Sequence, residues 1–217
     1  MESFSCILFD FEGVLFNPSK IMLESFKRAF SKCHETIQSI ESLNEYLQFS
    51  PSAIIKKLNA RNPKKILKEY DRAYLELAQN SGYVVLYENT VSVLKSLKLI
   101  GVKMGIVTSQ KKIRFDAIAA NANILPLFNV IITPSECGLS GMKPSPLGIK
   151  MALEKLNELP ANSAYVGDSP KDVIAAKRAN VFSIYALWGL YPKSTILDIK
   201  PDYLCNSVEN ILEIINR

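Results

Sequence analysis

Four short stretches of the chain hold residues whose types suit a single reaction. Asp10-Phe11-Glu12-Gly13 sets two carboxylates on either side of an aromatic ring. Thr108-Ser109 offers hydroxyls, Lys143 offers a cation, and Gly167-Asp168-Ser169 with Asp172 offers further acids. Together they meet the needs of phosphoryl transfer: a placed nucleophile, positive charge over the phosphoryl oxygens, and donors that fix their geometry. A carboxylate such as Asp10 can attack phosphorus and form an aspartyl-phosphate, which divides one hard displacement into two easier ones. Taken singly, each residue has a plainer meaning. Asp168 can begin a turn or cap a helix, Asp172 is a first-turn acid that a helix dipole favours, Thr108 is a β-former, and Lys143 before Pro144 is an ordinary loop lysine. Only their convergence in space would favour chemistry, and that depends on the elements that carry them.

Residues 5–10 (SCILFD) form an apolar run ending in an acid, the pattern of a fully buried strand whose C-terminal end meets solvent. From Ser19 to about Ser81 the periodicity is helical, without a good strand. Met22, Leu23, Phe26, Ala29 and Phe30 recur on one face behind Ser19 as the expected cap. A second run, 64–79, carries Ile66, Leu67, Tyr70, Ala73, Tyr74 and Leu77. After Tyr87, strands and helices alternate, which predicts a parallel sheet covered on both faces. Thr90 is expected to cap a helix through Ile100 that Gly101 ends. Strands follow at 102–109, 129–133, 164–168, 181–187 and, weakly, 202–205; helices are expected near 111–121, 146–157, 171–179 and from about Ser207 to the end. The predicted fold is α/β, a doubly wound, Rossmann-like parallel sheet with helices inserted after its first strand. Residues 1–16 and 87–217 would form the core and 17–86 the helical insertion. In such a sheet ligands gather outside the carboxyl ends of the strands, where all of these polar residues fall.

Composition excludes other functions. The 217 residues are 48% apolar and 22% charged, with 26 Lys+Arg against 21 Asp+Glu, a net charge of +5. That excess is mild, and the one basic cluster, Arg61-Asn62-Pro63-Lys64-Lys65, reads better as a solvated helix start than as a nucleic-acid surface. Cys6, Cys33, Cys137 and Cys205 lie far apart without a CxxC, and His34 is the one histidine, so neither a zinc site nor a disulfide framework is expected. The first residues, with Glu2 and the acid at Asp10, lack the pattern of a signal peptide, and no apolar stretch is long enough to span a bilayer. The expected setting is cytoplasmic, without membrane or nucleic-acid partners, as a monomer or homodimer.

These residues, in this order, resemble the haloacid-dehalogenase superfamily of phosphatases over the whole chain. DFEGVL (10–15) matches its first motif, MGIVTS (104–109) with Thr108 the second, KPSP (143–146) the third and GDSPKD (167–172) the fourth. The resemblance implies that Asp10 is the nucleophile and Glu12 the acid/base. It implies Mg²⁺ held by Asp10, the backbone carbonyl of Glu12, Asp168 and Asp172, with Lys143 offsetting the carboxylates. Thr108, Ser109, Lys143 and the backbone N–H groups beyond Asp10 would hold the phosphate. Asp172 has a second possible role, tuning Lys143 rather than meeting the metal. The layout, including PDYL at 201–204, looks like phosphoglycolate phosphatase and β-phosphoglucomutase relatives.

Glu12 departs from the pattern. Most phosphatases of the superfamily carry Asp there, and Glu adds one C–C bond, about 1.5 Å. Misplacement of order 1 Å can cost roughly 10²-fold in rate. The same Asp-x-Glu-Gly order occurs in the enolase-phosphatase branch, so the resemblance implies that a glutamate can still serve. The expectation is an Mg²⁺-dependent phosphatase acting on a small phosphorylated metabolite. Its rivals are a sugar-phosphate mutase of the β-phosphoglucomutase type and a phosphate-binding homologue that has lost turnover. The inserted helices would act as a cap hinged near 16–19 and 83–89. Lys20, His34, Arg61, Lys64 and Lys65 are its candidate substrate contacts, none of them placed by a motif.

Overall fold

The computed structural model describes residues 4–196 and 199–215. Its elements run in chain order as β1 (Cys6–Phe9), β2 (Phe16–Asn17), α1 (Ser19–Lys32), α2 (Pro51–Lys57), α3 (Pro63–Ala78), β3 (Val85–Leu86), α4 (Thr90–Leu99), β4 (Lys103–Val107) and α5 (Lys112–Ala122). There follow β5 (Val130–Ile132), α6 (Pro134–Cys137), α7 (Leu147–Leu156), β6 (Ser163–Gly167), α8 (Pro170–Arg178), β7 (Phe182–Ala186), β8 (Tyr203–Cys205) and α9 (Asn210–Ile215). Glu2 and the last two residues of the expected C-terminal helix lie outside the described residues.

Six strands form one parallel sheet in the order β5-β4-β1-β6-β7-β8, so the predicted α/β architecture is the observed one. β1 is central because its side chains are apolar on both faces. Ile7 and Phe9 join the larger core with α4, α5 and α9, while Cys6 and Leu8 join the smaller one with α7 and α8. Register then fixes the site: Phe9 pairs with Ile106 on β4 and with Val166 on β6. Asp10, Thr108 and Asp168 therefore emerge at nearly one level of adjacent strand ends.

The inserted helices pack chiefly on one another, α1 and α2 against α3, and α3 in turn lies on α5. Phe26 and Tyr70 meet with ring centroids 4.5 Å apart at the α1–α3 seam. The connections at 16–17 and 85–86, expected as bare hinges, form a two-stranded antiparallel ribbon. Helix α2 has no counterpart in the sequence reading. Its signal was present: Ser50 caps it through Ala53 N at 3.3 Å, and Pro51 occupies the first turn.

Two expected caps are corrected. Ser19 lies inside α1, and Asn17 Oδ1 accepts from Ser19 N at 3.1 Å, so an asparagine two residues earlier does the work. Thr90 lies inside α4 behind Asn89, which takes a left-handed conformation (φ 59°), and the buried Thr90 hydroxyl caps nothing. Gly101 does end α4, with φ 83° and its N–H on Lys98 O at 3.1 Å. Among the described residues no helix is long and apolar enough to cross a membrane.

Candidate active site

At the carboxyl end of the sheet lies a cavity of about 310 Å³. Asp10, Glu12, Thr108, Ser109, Lys143 and Asp168 all face it. Asp172 lies just beneath, 1% exposed and in contact with Lys143. The structure thus brings together every residue that the four motifs put forward.

Lys143 is the hub. Its ammonium donates to Asp10 Oδ1 at 2.8 Å, to Asp172 Oδ1 at 2.6 Å and to the Tyr165 hydroxyl at 2.8 Å. An ammonium has three N–H donors, so all are engaged by protein. Although burial alone would lower the Lys143 pKa, the Asp10 and Asp172 carboxylates beside it hold it above its ordinary value. Asp10 Oδ1 also accepts from Phe11 N at 2.7 Å; among the described residues no hydrogen bond reaches its Oδ2. Burial pushes the Asp10 carboxyl up to about 6, with Lys143 pulling the other way and Asp172 adding to the rise.

Asp172 plays both parts its position allows. Its Oδ2 accepts from Ser169 N at 3.0 Å in a capping box at the start of α8, while its Oδ1 meets Lys143 and lies 3.2 Å from the Tyr165 hydroxyl. Asp168 is less engaged: Oδ2 accepts from Leu190 N at 2.7 Å. Burial, then the nearby Asp172 and Asp10, raise its pKa well above the carboxylate range. Gly13 lets this acid approach, since it has φ 84° and a Cβ there would stand 2.1 Å from Asp168 Oδ2. Gly189 does the same from the loop after β7, where a Cβ would come within 2.2 Å of Asp168 Cβ.

Asp10, Asp168 and Asp172 each offer a carboxylate oxygen, all within 4.8 Å of one another. Three clustered acids, Asp168 and Asp172 buried and Asp10 partly so, face one lysine, and the donors are hard oxygens without His or Cys. The set fits a divalent cation of the Mg²⁺ kind.

Glu12 is held from another side. Its Oε1 accepts from the Tyr74 hydroxyl at 3.0 Å and from Gln110 Nε2 at 2.6 Å. Burial raises its carboxyl to about 7, against the Tyr74 hydrogen bond and the Arg114 charge, which lower it. Arg114 is ion-paired to Asp71 and lies over the Tyr70 and Tyr74 rings, 5.4 and 5.0 Å from their centroids. Thr108 Oγ1 accepts from Gln110 N at 3.1 Å, and the Ser109 hydroxyl is buried without a hydrogen-bond partner.

Sequence reasoning missed Tyr74, Gln110, Arg114, Tyr165 and the 188–191 loop. Tyr70 and Tyr74 carried only a core signal, their helical spacing. None of Lys20, His34, Arg61, Lys64 and Lys65 lines the cavity, whereas the inserted segment reaches it through Pro18, Met22, residues 47–51, Tyr70 and Tyr74.

A family model described as haloacid dehalogenase-like hydrolase matches residues 7–186, spanning the strands that carry all these groups. The chain belongs to the haloacid dehalogenase-like hydrolases. Within this family, pyrophosphatase PpaX of Bacillus mycoides is 24% identical over 97% of this chain and 96% of its own length. Pyrophosphatase PpaX of Bacillus pumilus is 26% identical, covering 99% of this chain and 97% of the relative. A predicted phosphoglycolate phosphatase from Haemophilus somnus superposes with a TM-score of 0.82 at 22% identity, over 97% of both chains. A predicted phosphatase from Clostridium acetobutylicum gives 0.77 at 22% identity, over 99% of both. At such identities the likeness of the solved structures is one of fold.

Proposed function

We propose that this hydrolase removes phosphate from a small phosphorylated metabolite in the cytoplasm, with Asp10 as covalent nucleophile. The observation that carries the reading is the single lysine joined at once to Asp10 and Asp172, with Asp168 beside them and Glu12 across the same cavity. In the first step an Asp10 oxygen forms a bond to phosphorus as the ester P–O bond breaks, and Glu12 gives its proton to the departing oxygen. In the second, Glu12 takes a proton from water as that water attacks phosphorus and releases Asp10. Thr108, Ser109 and the N–H groups beyond Asp10 donate to the phosphoryl oxygens. Lys143 contributes its charge, since its three donors are already engaged; Asp172 keeps it in place. Asp10, the Glu12 carbonyl and Asp168 would hold Mg²⁺, with Asp172 completing the acidic shell. The metal supplies charge neutralisation for the phosphoryl oxygens.

Residues 17–86 serve as a cap on the core formed by 1–16 and 87–217, with the ribbon at 16–17 and 85–86 as its attachment. Closure excludes water from the aspartyl-phosphate until Glu12 can activate one molecule of it. Phosphate release from a panel of phosphorylated metabolites with Mg²⁺, headed by pyrophosphate and phosphoglycolate because relatives bear those names, tests the reading. Wild type should release phosphate from at least one member of the panel, and Asp10→Asn from none. Isomerisation of a sugar phosphate without net phosphate release would establish the mutase instead, and equal inertness of wild type and Glu12→Asp over the whole panel would leave a binding protein.

A further inference from the structure

Glu12 sits in a closed triangle of hydrogen bonds whose other corners come from distant parts of the chain. Tyr74, on α3, is 1% exposed, and Gln110, just beyond β4, is 7% exposed. The donors can be counted. Tyr74 has one O–H, spent on Glu12 Oε1. Gln110 Nε2 has two N–H groups, one on Glu12 Oε1 at 2.6 Å and one on the Tyr74 hydroxyl at 3.2 Å. Turning the Gln110 amide over would set its oxygen against Glu12 Oε1, which is an acceptor whether or not Oε2 carries a proton, so the amide orientation follows from Oε1. Gln110 Oε1 is left buried without a partner, a cost accepted for this arrangement. The Tyr74 ring is fixed in turn by Arg114, itself held by Asp71. Glu12 Oε1 therefore has two donors, while no hydrogen bond among the described residues reaches Oε2.

We propose that Tyr74 and Gln110 are positioning residues that grip Glu12 by Oε1 and leave Oε2 as the oxygen that exchanges protons with substrate and water. This rests on the phosphatase reading above. It explains how a glutamate serves where a shorter acid would be expected, because the extra reach of about 1.5 Å is taken up by anchoring one oxygen on the inserted helices. During the reaction Oε2–H protonates the leaving oxygen as its bond to phosphorus breaks, and Oε2 later accepts the proton of the attacking water. Oε1 keeps both donors throughout.

The test uses Tyr74→Phe, which keeps the ring, and Gln110→Met, which keeps the length, each made with Glu12 and with Glu12→Asp. Turnover is measured on an alkyl ester that wild type hydrolyses and on p-nitrophenyl phosphate, whose leaving group needs no proton. With Glu12, each substitution should lower kcat on the alkyl ester about 10- to 100-fold with KM within about 3-fold. The burst of nitrophenol should keep its rate while the steady state slows. In the Glu12→Asp background each should cost less than about 2-fold, because the shorter acid does not reach the donors. Unchanged kcat in both variants, or an equal fall in both backgrounds, would overturn the positioning role and leave packing. Active wild type with unaffected variants sinks this inference alone. A wild type inert on every ester sinks it together with the phosphatase reading.

Discussion

The two sides of the cavity are built in opposite ways. On one side Asp10 and Asp168 stand just beyond adjacent strand ends, with Asp172 in the first turn of α8, and the Lys143 ammonium, from the loop before α7, joins Asp10 to Asp172; a sheet buried on both faces backs them. On the other, Glu12 belongs to the β1 loop but is gripped by a tyrosine of the inserted helices and by Gln110, which follows Thr108 and Ser109. The first side is specified by strand register and admits little movement. The second depends on how the inserted helices rest on the core. On the proposed mechanism, this contrast means that the nucleophile would be placed by the sheet, whereas the acid/base that serves leaving group and water would depend on the insertion.

The contrast breaks most severely at Asp10. Asp10→Asn should lose at least about 10³-fold in turnover while its circular dichroism and melting temperature remain near wild type. Next comes Phe11, which separates the two chemical carboxyls and is fully buried, 4.9 Å from the Phe115 ring and 5.7 Å from Phe16 by centroids. Phe11→Ala should cost about 3–5 kcal/mol in denaturant unfolding, because it opens a cavity beneath both sides at once. Mg²⁺ should stabilise wild type by about 2.7 kcal/mol at a hundred times its dissociation constant, a rise in Tm of roughly 5–10 °C. Asp168→Asn should abolish that rise.

The pH profile probes the other side. With its carboxyl raised to about 7, Glu12 carries its proton below that pH and loses it above. Turnover of an alkyl ester, which needs the protonated acid, should therefore fall about tenfold per unit as pH rises beyond about 7. Phosphoryl transfer from p-nitrophenyl phosphate, read as the burst, should show no such fall. The smallest effect belongs to the basic cluster: Lys64→Ala and Lys65→Ala, at exposed positions in the first turn of α3, should change stability by less than about 0.5 kcal/mol and leave kcat/KM within about 2-fold.

Legibility in the sequence divides along the same line. The β1 run SCILFD, the Thr after GIV and the acids of GDSPKD could be read because a buried parallel strand is apolar until its end, so polar residues there stand out. Register did the rest, and the structure needed only to bring the expected groups within hydrogen-bond reach. Tyr74 could not be read in this way, since Tyr70, Ala73, Tyr74 and Leu77 are all buried on one face of α3 and a tyrosine hydroxyl leaves no trace in periodicity. Gln110 is one polar residue in a loop. Leu190 acts on Asp168 through its backbone N–H, which every residue except proline has. The misread caps have a related cause: Ser19 and Thr90 are residues that often cap, but the asparagines preceding them set the chain's entry into each helix.

The most direct measurement is acid quench of Glu12→Gln, which keeps the nucleophile but removes the acid/base, after brief exposure to p-nitrophenyl phosphate, whose leaving group needs no proton, and Mg²⁺, followed by peptide mass analysis. The account predicts one added phosphoryl group on the peptide that carries Asp10, absent when Asp10→Asn is added. A phosphoryl group on any other residue, or an Asp10→Asn enzyme that still releases phosphate, would contradict it.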